Sequence, residues 1–240
     1  GLERDRTYDA TAVRKLRYQK LAVFADQDHD GSHIVGLVVS WLSTHYPSLV
    51  SVRGDKKEDF LIRIVTPYIK ASHPTTREAV SFFSDVEFER WRAMEAGGQS
   101  VKYKVYKGLG TSTAREAIDY FSRWDDHVIN IRHDGDGCEQ GLDLFFNDKC
   151  ANERKSFLSK QYTPASFVDY KQASTSIGSF LRDEMSHFSF ADVKRSIPSA
   201  IDGWKPVQRK VLYTFLTKHF TKEQKVFQAA AAAAHFTAYH

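Results

Sequence analysis

Residues 21–34 read LAVFADQDHDGSHI. The apolar run 21–25 is consistent with a buried strand. Asp26, Asp28 and Asp30 follow at alternate positions, and then Gly31. Beyond the glycine, Ile34, Leu37, Val38, Trp41 and Leu42 fall at i, i+3, i+4, i+7 and i+8, the spacing of one helical face, and Pro47 ends that pattern. If the acidic stretch stays extended, its period of two puts all three carboxylates on one side. Like charges so close repel unless a cation sits among them, and oxygen ligands with several waters suit Mg²⁺ or Mn²⁺. Such a cation offsets phosphate charge and activates a reacting oxygen, so these residues read as a metal-assisted phosphoryl-transfer site. Two other readings stay open. D-x-D-x-D-G also begins an EF-hand loop, but the twelfth position is Leu37, not Glu, and LAVFA is a poor end to a preceding helix. An acidic turn holding no ligand, helped by Gly31, is the simplest alternative.

Outward from this stretch, 60–65 (FLIRIV) and 77–83 read as strands, and Ser84 with Glu87 makes a capping box for a helix through about Met94. Gly97 and Gly98 break the chain; 101–106 (VKYKVY) alternates like a strand and runs through Lys107-Gly108-Leu109-Gly110-Thr111 into a helix at 112–122. One more strand is expected at 127–132. Strands alternating with helices predict an α/β layer with a mostly parallel sheet. The polar, glycine-rich stretch 133–140 reads as a surface loop, and the pattern beyond it is mostly helical. Pro206 suits a first helical position, and Val207, Val211, Leu212, Phe215 and Leu216 mark an apolar face after it. There is no internal repeat.

Hydrophobic residues make up 42% and charged residues 27% of the 240, which argues against disorder. The net charge of +4 is unevenly spread. Between Lys194 and Lys225 stand eight Lys or Arg against Asp202 and Glu223, a net of +6, so 1–193 sums to −2. A basic end on a slightly acidic body points to nucleic acid or a membrane surface. No apolar run approaches the ~20 residues of a membrane span. Cys138 and Cys150 form no C-x-x-C pair, which disfavours zinc and redox motifs. The glycines of 107–111 let backbone N–H groups approach an anion, with Lys107 adding charge, although a tight strand-to-helix turn explains them equally. Lys205, Gln208, Arg209 and Lys210 sit within about two helical turns after a Gly turn, like half of a helix-turn-helix. They are either a phosphate-binding face or a solvated basic face.

DQDHDGSHI (26–34), YKGLGTST (106–113), RSIPSAIDGWKPVQRK (195–210) and TAYH (237–240), with LRYQKLAVFADQD (16–28) and YPSLV (46–50), resemble in order and spacing the signature segments of eukaryotic-type topoisomerase II. The resemblance runs along nearly the whole chain. It implies a TOPRIM fold over 1–135, with its first strand missing, a helical connector over 136–190, and the start of a winged-helix DNA-binding domain over 191–240. It implies that Asp26, Asp28 and Asp30 bind Mg²⁺. Lys107, Gly108, Gly110 and Thr111 would lie near the DNA backbone, and Arg195, Lys205, Gln208, Arg209 and Lys210 would contact phosphates. His240 would match the first of the family's paired histidines, in a supporting catalytic role. The family's enzyme is an ATP-dependent homodimer that cuts, passes and reseals double-stranded DNA, in the nucleus or alternatively the mitochondrion.

The same resemblance implies what this chain lacks. The family's first metal-binding Glu, in an EGDSA segment, is expected before residue 1, and the nucleophilic Tyr, preceded by Arg, beyond His240. The ATP-binding domain is expected outside the chain as well. The isolated chain therefore reads either as an inactive enzyme fragment or as a DNA-binding module with no chemistry of its own. The alanines at 229–234 favour a helix while packing little volume, where the family mixes larger residues.

Overall fold

The structure, a computed structural model, describes residues 1–4, 6–53, 59–95, 101–106, 108–237 and 239. The chain divides into two compact units, Gly1–Phe188 and Ser189–His240.

The first unit opens with a short helix α1 (Ala10–Arg14), then β1 (Leu21–Phe24), α2 (His29–His45) and α3 (Pro47–Ser51). Tyr46 closes α2, and Pro47 begins α3 at the position where its missing N–H costs nothing. β2 (Leu61–Ile64) returns parallel to β1, with Leu21 opposite Leu61 and Phe24 opposite Ile64. After it come β3 (Ile69–Ser72), β4 (Ala79–Phe82), α4 (Asp85–Met94), β5 (Tyr103–Val105), α5 (Ala114–Ser122), α6 (Trp124–His127) and β6 (Val128–Arg132). α7 (Asp136–Phe146), α8 (Ala151–Lys160), β7 (Ser174–Ser176), α9 (Ile177–Phe180) and a π-helical turn (Leu181–Met185) follow.

The first sheet has the order β1-β2-β6-β7. The α/β layer is present, and its sheet is mixed. β1–β2 and β6–β7 are parallel, β2–β6 is antiparallel, and a second sheet, β4-β3-β5, is antiparallel throughout. β2 is buried along its whole length, as expected of a strand covered on both faces. β1 is an edge strand, with no partner on its far side among the described residues.

Three expectations need correcting. The inward face of α2 is Val35, Val39 and Leu42, all fully buried, whereas Ile34, Leu37 and Trp41 are 51%, 47% and 48% exposed. α2 is apolar almost all round, so periodicity offered two stripes. The inner one carries the small residues that let it press home: a Cβ on Gly36 would stand 2.6 Å from Met185 Sδ. Second, the expected surface loop 133–140 ends at Gly135, whose φ of 72° turns the chain into α7, and Cys138 lies fully buried in that helix. Third, the segment expected as a connector belongs to the first unit. β7 pairs with β6, and Ile177, Phe180, Leu181 and Met185 join the core with Val35, Leu42 and Ile131.

The second unit carries most of α10 (Ser186–Ser196), then α11 (Pro206–Thr217) and α12 (Val226–Thr237), the last containing the alanine run. Pro206 stands at the start of α11 as predicted. The inward residue of α11 is Thr214, and Val211, Leu212 and Leu216 of the expected apolar face are exposed.

Candidate functional site around the acidic turn

β1 delivers the chain to Ala25, which is buried, and the next residue is Asp26. Asp28 is the N-cap of α2, its Oδ1 accepting the Gly31 N–H at 2.8 Å. Capping starts the helix at His29, which places Asp30 inside the first turn on an exposed position. The period of two therefore ends at Asp28. Among the described residues no group of three His, Cys, Asp or Glu side chains is gathered as a metal centre. Asp26 and Asp28 remain neighbours in the turn, while Asp30 turns away with the helix.

Asp26 is held from two sides. Its Oδ1 accepts the Leu109 N–H at 2.7 Å, which joins the acidic turn to the glycine loop. A Cβ on Gly108 would stand 2.9 Å from Asp26 Oδ2, and one on Gly31 only 1.8 Å from the Asp26 carbonyl oxygen. Both glycines are there for space. The loop itself closes as a 3-10 turn, Leu109–Thr111, with the Thr111 N–H and hydroxyl both donating to Gly108 O at 3.0 and 2.7 Å.

Glu116 fastens both shoulders of that loop. Its carboxylate accepts the Thr113 N–H at 2.8 Å, the Thr113 hydroxyl at 3.0 Å and the Tyr106 hydroxyl, and Lys70 Nζ lies 3.4 Å away. These bonds, the one from the Thr113 backbone first, lower its pKa to about 2. Burial and the same carboxylate push the Tyr106 hydroxyl up.

Behind the turn lies Arg63 of β2, 1% exposed. Its guanidinium donates to the Tyr170 hydroxyl and to Gln27 Oε1 at 3.3 Å, and stands 3.5 Å from Glu184, which also accepts the Ser32 hydroxyl. Burial raises the Tyr170 pKa well above its ordinary value, with Arg63 opposing. Beside this network opens a cavity of about 300 Å³ lined by Gln27, Asp28, Tyr68, Asp85, Tyr162 and Glu184 among others. Burial raises the Tyr68 pKa, and the charges of Asp85 and Asp28 raise it further.

In the second unit the basic residues are tied locally. Gly203, at φ 74°, shapes the turn before α11, with its N–H on Ser199 O at 2.8 Å. Arg209 pairs with Asp202, and Arg195 Nε lies 3.2 Å from Asp192. Gln208 Oε1 accepts the Lys205 backbone N–H at 2.8 Å. Lys210 is engaged at the end of α12, donating to Thr237 O at 3.2 Å beneath the Tyr239 ring. Gly110 meets open space. Lys107 and His240 lie outside the described residues.

The residues that build the site but escaped sequence reading are Leu109, Glu116, Arg63, Tyr170 and Glu184. Two had a signal: Thr113-x-x-Glu116 is a capping box, and Arg63 is the one charge in FLIRIV. The bond from Leu109 had none, because a backbone amide carries no side-chain signature.

A family model described as the C-terminal associated domain of TOPRIM matches residues 64–193. A second, described as DNA gyrase/topoisomerase IV, matches 195–240. DNA topoisomerase 2 of Candida glabrata is 43% identical over all of this chain and 17% of its own length. The Saccharomyces cerevisiae and Arabidopsis thaliana proteins of that name are 40% and 38% identical, with the whole chain again covering 16% of each. The chain thus spans about a sixth of the curated relatives it matches. A crystal structure of the Plasmodium falciparum topoisomerase II DNA-binding, cleavage and re-ligation domain matches 95% of the chain and 30% of its own, with a TM-score of 0.74 and 37% identity.

Proposed function

The chain belongs to the family described as the C-terminal associated domain of TOPRIM and is a fragment of a eukaryotic-type DNA topoisomerase II; from that premise we propose that it holds a divalent cation at Asp26 and Asp28 and presents that site to double-stranded DNA. The observation that carries this reading is the fixed Asp26 carboxylate, set between two glycines and a backbone amide. The donor chemistry fits Mg²⁺, with Mn²⁺ as its substitute: hard carboxylate oxygens at the end of a strand, in a turn with room for water. Asp30, on the first turn of α2, is placed to act through water or not at all. When bound, such a cation offsets the charge that develops on a reacting phosphodiester.

The chain's own part is positional. Asp28 both caps α2 and faces the cavity, so helix and carboxylate share one orientation. The glycine loop offers Thr111 and its backbone to a phosphate, and Arg195, Lys205, Gln208, Arg209 and Lys210 supply the basic segment that follows. Their hold on DNA requires Arg209 and Arg195 to exchange their carboxylate partners for phosphate. In the parent, the attacking tyrosine lies outside this chain. Its oxygen displaces a DNA hydroxyl from phosphorus, and the phosphotyrosyl ester formed allows resealing. ATP use, homodimer assembly and a nuclear setting belong to this proposal for the whole protein.

A second reading, a DNA-binding module without chemistry, is favoured by one observation: the three acids are not gathered among the described residues. Calorimetry with Mg²⁺ and Mn²⁺ separates the two. Asp26→Ala with Asp28→Ala is expected to weaken binding at least tenfold. Equal binding by the double variant removes these acids from the site and leaves the module reading.

A further inference from the structure

We propose that Gly108 and the Leu109 backbone amide are positioning elements for the Asp26 carboxylate, so that divalent-cation affinity and the order of the glycine loop are one coupled property. This rests on the reading of Asp26 as a cation ligand and goes beyond it. An aspartate at the end of a strand has two free side-chain torsions. Here the contact that fixes them comes from 83 residues away, the Leu109 N–H on Oδ1 at 2.7 Å. Gly108 lies flat against the same group: a Cβ would stand 2.9 Å from Oδ2 and 3.0 Å from Oδ1. The loop therefore seals one side of the carboxylate and leaves the other side for a cation.

The donor is itself held in place. Thr111 locks the turn onto Gly108 O, and Glu116 binds Tyr106 before the loop and Thr113 after it. A donor fixed at both shoulders aligns the carboxylate in advance, which spares a cation the ordering it otherwise imposes. Linkage makes the effect reciprocal: if the amide bond raises cation affinity by some factor, the cation strengthens the loop's hold by the same factor. The acidic turn and the glycine loop then act together, although neither motif contains the other's contact.

Three substitutions test this. Leu109→Pro removes only the N–H, at the first position of the 3-10 turn, where proline fits. Leu109→Ala keeps the N–H and trims the side chain. Gly108→Ala pushes a methyl group into the carboxylate. Mn²⁺ affinity is read by calorimetry, loop order by backbone amide exchange at 108–112 with and without Mg²⁺, and folding by thermal melts. Leu109→Pro and Gly108→Ala are expected to lose about tenfold in Mn²⁺ affinity, on the order of one hydrogen bond to a charged group. Leu109→Ala stays within about twofold of wild type, and Mg²⁺ slows amide exchange in the wild-type loop. Wild-type affinity in both Leu109→Pro and Gly108→Ala, or loop exchange indifferent to a cation that does bind, overturns the coupling alone. Absence of any Mn²⁺ binding by the wild-type chain overturns the ligand reading and the coupling with it. If Leu109→Pro fails to melt cooperatively, the comparison of Gly108→Ala with Leu109→Ala decides.

Discussion

Glu116→Gln keeps the shape of the side chain that fastens the glycine loop and removes its charge. The partners that lower this pKa from 4.5 to about 2 are the Thr113 backbone first and the Tyr106 hydroxyl second, with Lys70 the weakest. At ~1.36 kcal/mol per tenfold in proton affinity, that drop corresponds to about 3.4 kcal/mol for a fully desolvated site. The Glu116 side chain is 21% exposed, so solvent screens part of it. Halving the figure leaves about 1.7 kcal/mol. A unit of this size loses roughly 2–4 °C per kcal/mol, so its melting temperature should fall by about 3–7 °C at pH 7. A carboxylate whose folded pKa is depressed adds stability above its unfolded pKa and loses it as pH falls through the folded one. The gap between wild type and variant should thus be constant from pH 7 to about 5, begin to close below 4.5, be roughly 40% smaller at pH 3.5 and vanish near 2. Thermal melts followed by circular dichroism across that range measure it. A gap that does not change with pH, or no gap at pH 7, refutes the assignment of this stability to the ionised carboxylate.

Gly31→Ala tests the close packing of α2 on the acidic turn. Alanine favours a helix by about 1 kcal/mol over glycine, yet its Cβ would stand 1.8 Å from a backbone carbonyl oxygen that cannot move alone. We expect a loss above ~3 kcal/mol in urea unfolding; a stabilised variant would show that Asp26 O is not there. Arg209→Ala should weaken DNA binding across sequences and reduce the slope of log affinity against log salt by about one. An unchanged slope would make Arg209 no more than the partner of Asp202.

The strand, the acidic turn and the following helix were legible because each rests on local rules: an apolar run, a cap, a period. The inward face of α2 was not, because residues 34–42 are apolar on two overlapping stripes and only tertiary contact chooses between them. β3 escaped because Ile69–Ser72 is four residues long and has no alternation of its own to separate it from β2. The grouping of the three acids was inferred from extended geometry, and the cap at Asp28 ends that geometry one residue later. Arg63 was visible as a charge within an apolar strand, but its partners come from distant parts of the chain. The basic residues of α11 were legible as types, while their pairing with Asp202 and Thr237 is a matter of spatial arrangement.

The buried guanidinium of Arg63 constrains how this chain can change over time. Gln27, Tyr170 and Glu184 stand far apart in sequence and meet only at that one group. Losing Glu184 alone would strand a cation in the interior, and losing Arg63 alone would strand an anion and a phenol. Descendants of this sequence are therefore expected to keep all four or to replace them together, so the four positions should drift as a single inherited character.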